Sequence, residues 1–190
     1  MGDDRRPCRC ESEEDSLLIR SARQLELGDL AWLEVQAGQL FHSVGMSEIA
    51  DHDVDQQALR RSQRQGLIWV AEEGDRTVGY VMAAVLDGNA HIEQVSVAPT
   101  HARRGVGRRL ISHVERWGRR NGRPATTLTT FRDVPWNGPY YRRLGYRELS
   151  NAEIGRDLTA AIRHEAELPG MDSSLRCAMI KANREHLDPD

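Results

Sequence analysis

The sequence predicts an α/β domain built on a mixed, mostly antiparallel sheet, with a splayed central parallel strand pair and helices on both faces. Three observations carry that expectation. Two strand-like runs, Leu67 to Glu72 and Thr77 to Leu86, flank Glu73-Gly74-Asp75-Arg76, whose Gly and Asp suit a hairpin turn. A third run, His91 to Val97, follows the turn Asp87-Gly88-Asn89, so these three strands should pair antiparallel. A helical stripe after Gly105 then leads to a β-branched run from Thr126 to Phe131, and that crossover makes the last run parallel to the His91 strand.

Residues 1–16 carry Asp3, Asp4, Glu11, Glu13, Glu14 and Asp15 against three arginines, with no aliphatic core former, and are expected to stay disordered. The fold is expected to occupy residues 17–183 as one domain, with 184–190 as a tail. Leu17 to Ser21 reads as a short strand. Glu26 to Phe41 reads as a helix, with Leu27, Leu30, Leu33 or Ala37, and Leu40 or Phe41 at helical spacing. His42 to Gln65 is polar, carries Glu48, Asp51, Asp53 and Asp55, and ends in a helix around Gln56 to Gln65.

Within His91 to Val97 the apolar parity slips, since Ile92 is even while Val95 and Val97 are odd. One extra residue between 92 and 95 restores a common face, as a β-bulge does, and bulges splay strands beside active sites. After Gly105, residues Val106, Leu110, Ile111, Val114 and Trp117 form one stripe that should pack on the sheet, and Asn121-Gly122 stops the helix. Asn137 to Leu144 reads as a short helix closed by Gly145. Tyr146 to Leu149 reads as a strand, Ala152 to Glu167 as an added helix, and Leu175 to Lys181 as the last strand.

At 190 residues the chain can bury roughly 70% of its unfolded surface, so a true core is available. The N-terminal stretch alone accounts for the net charge of −3, which leaves no basic excess for nucleic acid. Mean hydropathy is −0.61, and neither a membrane-length apolar run nor a charged-then-apolar leader is present, so a cytoplasmic location without membrane contact is expected. Cys8, Cys10 and Cys177 match no disulfide framework and no zinc spacing, so reduced thiols and no metal are expected.

The strand-turn-helix around Gly105-Val106-Gly107 has the chemistry of an anion cradle. A helix N-terminus offers unpaired N–H groups and about half a positive charge, and Arg103, Arg104, Arg108 and Arg109 bring guanidinium groups suited to phosphate oxygens. A Walker loop requires a lysine, and Lys181 is the only one in the chain. A dinucleotide fingerprint requires a third glycine where Leu110 stands.

The remaining pattern, Ala102-Arg103-Arg104-Gly105-Val106-Gly107, resembles the [Q/R]-x-x-G-x-G/A motif of the GCN5-related N-acetyltransferase (GNAT) superfamily, which binds acyl-coenzyme A. Ala102 departs from the family's Gln or Arg at the first position. Some thirty-five residues on, Trp136-Asn137-Gly138-Pro139-Tyr140-Tyr141-Arg142-Arg143-Leu144-Gly145-Tyr146 is similar to the superfamily's N-x-P-[FY]-Y-x-[RK]-[LF]-G-[FY] segment.

The resemblance implies an N-acetyltransferase that moves an acetyl group from acetyl-CoA to a primary amine of a small molecule or peptide by direct attack, with no metal. The alternative it leaves open is an acyl-CoA-binding sensor or interaction module without turnover. It also implies that the backbone of Val95 and Val97 meets the pantetheine arm, that Arg103, Arg104, Gly105, Val106, Gly107 and Arg108 hold the pyrophosphate, and that Asn137 contacts the cofactor besides capping its helix. Glu93, on the strand where the family often carries a base, is the expected base, with His91 as the other candidate. Tyr141 is the expected acid, and the Val95 N–H the expected oxyanion donor. Residues 42–65 match the region lying over the family's acceptor site, where their acids either favour a cationic amine or form a solvated face. Similar proteins are often homodimers, and the sequence selects no oligomeric state.

Overall fold

From Val78 to Ala83 every residue of β3 (Arg76–Leu86) is buried, because helices cover both of its faces. The computed structural model describes residues 17–183; the acidic tail with Cys8 and Cys10, and everything after 183, lie outside the described residues. β3 sits within a seven-stranded sheet ordered β1-β2-β3-β4-β5-β7-β6, made with β1 (Leu17–Ser21), β2 (Ile68–Glu73), β4 (Asn89–Val97), β5 (Ala125–Phe131), β6 (Arg147–Glu148) and β7 (Arg176–Ala182). Neighbours are antiparallel throughout except β4 and β5, which run parallel as expected.

One sheet face packs on α4 (Val106–Arg120), whose Val106, Leu110, Ile111 and Val114 are buried while Trp117 lies 5.6 Å from Trp69. Full burial of a side chain such as Leu110 stabilises the fold by about 1.5–3 kcal/mol. The other face packs on α1 (Leu27–Gly38) and α3 (Gln56–Arg64), joined through a 3-10 segment and the short α2 (Ser47–Ala50). The expected helix over 26–41 is thus shorter, because it tightens into 3-10 geometry from Gln39 and stops at Gly45, whose φ is 75°.

The bulge is present. Met82 pairs with Gln94 and Ala83 with Ile92, so Glu93 is the extra residue of β4. β4 and β5 pair only at Ala90–Thr126, His91–Thr127 and Ile92–Leu128, after which they separate. Beyond the split lie α5 (Gly138–Arg143) and, between β6 and β7, α6 (Arg156–Glu165). The added helix starts later than its sequence suggests, since Ser150 and Glu153 form a capping box around a 3-10 turn of their own. α6 is pinned to the sheet at both ends. Asp87 accepts from the N–H of Asp157 and Leu158, each at 2.9 Å, and Glu165 accepts from Thr129 Oγ1 at 2.6 Å and Arg176 at 2.8 Å.

Candidate active site

β4 delivers the chain through a 3-10 turn into the segment before α4, where Arg103 and Gly105 both take left-handed backbone, with φ of 63° and 81°. Alternation of that kind turns successive amides inward. The first backbone hydrogen bond of α4 runs from Arg109 N–H to the Gly105 carbonyl at 3.0 Å, and the amides of residues 103–108 make none among the described residues. Six donors in a row at a helix N-terminus fit a pyrophosphate. Gly107 faces Val97 and Tyr140, where a Cβ would make only ordinary contacts, 3.6 Å from Val97 Cγ2 and 3.7 Å from the Tyr140 hydroxyl.

The arginines divide. Arg103 and Arg108 form no ion pair among the described residues, whereas Arg104 reaches Glu73 at 3.0 Å and Arg109 donates to the Leu17 carbonyl at 2.7 Å. The Arg104 guanidinium is thus held by β2 beside His101, which also meets Glu73 at 3.0 Å, while its backbone amide stays among those of the turn. The full ring of four guanidinium groups read from the sequence does not form.

Glu93 stands at the mouth of the split. The residue as a whole is exposed, while protein partly surrounds its carboxyl, which accepts from Ser62 Oγ at 3.5 Å. Desolvation pushes its pKa up, against the pull of Arg61 and the weaker hydrogen bond of Ser62, while Glu165 and Asp55 push it further up. His91 lies deeper, 2% exposed, with Nδ1 2.9 Å from Thr127 Oγ1, and burial lowers its pKa to about 4. A carboxyl of raised pKa at the surface of the cleft accepts protons better than a buried imidazole of lowered pKa. Val95 and Val97 pair with Val81 and Gly79 of β3 but have no partner on β5, so part of their backbone faces the split.

On the far side, Tyr141 of α5 is half-buried, its ring 5.6 Å from Tyr140 and 5.7 Å from Tyr146, and its hydroxyl makes no hydrogen bond among the described residues. Burial pushes its pKa up, so the phenol stays protonated. Asn137 occupies the N-cap position of α5 without capping it by its side chain. Instead Nδ2 donates to Thr130 Oγ1 at 2.9 Å, and buried Oδ1 is left without a partner. An orphaned buried acceptor fits an amide N–H of a bound ligand. Gly138 makes the tight loop possible, because a Cβ there would lie 2.2 Å from the Arg132 carbonyl oxygen.

The overlying segment differs from its charge pattern. Asp55 caps α3 through the N–H groups of Gln57 and Ala58, and Asp51 meets His42 Nε2 at 3.0 Å. Trp136 and Phe131 pack edge-on against Phe41 at 5.8 and 5.5 Å, so Trp136 belongs to an aromatic wall with the segment after α1, while Asp133 is exposed.

A polar chain escaped sequence reading. Gln94 Nε2 donates to Ser96 Oγ at 3.0 Å, Ser96 is the cross-strand partner of Tyr80, and Tyr80 donates to Glu34 of α1. Glu34 falls at the i+7 position of the stripe Leu27, Leu30, Ala31. A carboxylate in an apolar stripe was the available signal.

Among the described residues no group of three or more His, Cys, Asp or Glu could hold a metal, and no helix is long and apolar enough to cross a membrane. Cys177 is a free, buried thiol.

A sequence model of the acetyltransferase (GNAT) family matches residues 31–146, more than half of the chain. The fold is similar to that of a GNAT-family acetyltransferase from Staphylococcus aureus Mu50 (TM-score 0.68, 14% identity, covering 88% of this chain and 99% of that one). It is also similar to the ribosomal-protein-S18-alanine N-acetyltransferase of Escherichia coli (0.64, 16%, 90% and 98%). A third similar structure is the PaiA N-acetyltransferase of Thermoplasma acidophilum in complex with coenzyme A (0.62, 14%, 88% and 99%).

Proposed function

Because the chain belongs to the GNAT acetyltransferase family, we propose that it transfers an acetyl group from acetyl-CoA to a primary amine, with Glu93 as the base. The observation that carries this reading is the position of Glu93: it is the bulged residue of β4, one step beyond the last β4–β5 partners, with a carboxyl whose pKa is raised.

The six amides of 103–108 and the orphan Oδ1 of Asn137 support binding of the cofactor in the cradle and along the split. Bound there, acetyl-CoA supplies an activated thioester. An alkyl amine of pKa near 10 arrives mostly protonated, and Glu93 removes its proton so that nitrogen can bond to the acetyl carbon. The Val95 N–H donates to the carbonyl oxygen as that oxygen gains charge. Tyr141, kept protonated by burial, donates its hydroxyl hydrogen to the departing sulfur and regains a proton from the second one that the acylated nitrogen sheds. His91 then holds Thr127 and the floor of the cleft as a neutral imidazole, outside proton transfer.

The test is to mix the protein with acetyl-CoA and a panel of amines and follow free thiol. Amine-dependent release lost in Glu93→Gln supports the reading. Tight CoA binding with no release by any amine would show a binding module instead.

A further inference from the structure

A cavity of about 220 Å³ lies between α6 and strands β5, β6 and β7. Its apolar wall includes Leu149, Ile154, Ile162 and Met171. Its charged lining is already matched. Glu165 takes the hydrogens of Thr129 and Arg176, and Glu148 those of Arg132 and Arg142. A charged ligand group would have to break one of these pairs or remain uncompensated in a partly buried wall, so the lining selects an uncharged group.

β5 links the cavity to the split. Thr127 bonds His91, and Thr129, two residues on, shares its sheet face and lines the cavity. Thr129 is also the first residue of that face beyond the last β4–β5 partners, as Glu93 is on β4, so the two occupy opposite lips of the split. The loop carrying Met171 closes on the segment over the cleft: a Cβ on Gly170 would lie 2.9 Å from Glu48 Cβ and 3.0 Å from Ile49 Cδ1.

We infer that this cavity receives the uncharged side group of the acceptor, a branched aliphatic or phenyl group on a primary amine whose nitrogen reaches Glu93. This rests on the transfer reading above and narrows it. An apolar cavity of about 150 Å³ accepts benzene, so the volume here suits an isobutyl or phenyl group.

A series of amino acid amides with acetyl-CoA tests it: glycinamide, alaninamide, leucinamide, phenylalaninamide, and the charged lysinamide and aspartic acid α-amide. At roughly fourfold per buried methylene, kcat/KM for leucinamide should exceed that for glycinamide by at least about tenfold, with both charged amides at or below glycinamide. Ile162→Trp should erase the leucinamide-to-glycinamide ratio, a quantity unaffected by the fraction of variant that folds. In the wild-type acetyl-CoA complex, leucinamide should shift the methyl resonances of Ile162 and Met171. Thiol release with a flat or charge-preferring series overturns the cavity assignment alone. Bound acetyl-CoA with no release by any amide overturns the transfer reading, and this inference with it.

Discussion

Tyr80, fully buried in β3, gives its hydroxyl hydrogen to Glu34 of α1, and its cross-strand partner Ser96 accepts from Gln94 next to the bulge. With Glu34 accepting, the Tyr80 hydroxyl keeps lone pairs for the polar strip of β4 beside it, where Ser96 accepts from Gln94. The side chain of Gln94 is held in one orientation beside Val95. Tyr80→Phe leaves a partly buried carboxylate short of a partner, which should cost about 1–3 kcal/mol in denaturant unfolding. It should lower kcat while leaving acetyl-CoA affinity unchanged. Ser96→Ala added to Tyr80→Phe should have little further effect on kcat, since both alter the same polar strip.

Glu34 also sets a pH dependence of stability. Burial raises its pKa, with the Tyr80 bond pulling the other way and Asp55 adding to the rise. A carboxyl whose folded pKa exceeds its unfolded one favours folding most below the unfolded value, near 4.3, and that contribution is lost as pH rises through the folded value. Glu34→Gln keeps an acceptor for Tyr80 and removes the titration. Its Tm relative to wild type should therefore be higher at pH 7 than at pH 4, and an equal difference at both would exclude Glu34 as the source.

For Glu93, the sign follows from the groups around it. As a base it must be ionised, so kcat/KM falls as pH drops through its raised pKa. Arg61 holds that pKa down. Arg61→Ala should move the acid limb of the pH–rate profile to higher pH, and Glu93→Gln should lower turnover by roughly 10²-fold with acetyl-CoA binding intact. A limb that stays in place in Arg61→Ala would assign it to another group.

How much of this was legible beforehand depended on the range of the forces involved. The bulge at Glu93 was readable because period-2 alternation is local, and Ile92 against Val95 and Val97 breaks it within four residues. The α4 stripe and the parallel crossover were readable for the same reason. Asn137 was half legible: its residue type suggested a cap, but the side chain turns to Thr130, seven residues away on another element. The guanidinium partners of Arg104 and Arg109 were not legible, because Glu73 and the Leu17 carbonyl meet them only after β1 and β2 have joined the sheet. The cavity under α6 was invisible, since its walls come from residues 129 to 178 brought together by four elements.

At the turn between β3 and β4, Asp87 couples that hairpin to α6, and its backbone adds a second demand. Its φ is 48°, a left-handed value that aspartate and asparagine tolerate better than alanine. Its carboxylate accepts from two N–H groups at the start of α6, while Asp157 accepts from the Asp87 N–H at 3.2 Å. Asp87→Asn keeps the backbone preference and one acceptor, Asp87→Gly keeps only the backbone freedom, and Asp87→Ala keeps neither. Loss of stability should rise in that order, with Ala costing about 1–2 kcal/mol by urea unfolding. Because α6 walls the cavity and bears Glu165, hydrogen exchange of α6 amides should quicken in the same order, ahead of that in β5. Exchange that quickens equally in both elements would mean that α6 unfolds only with the whole domain.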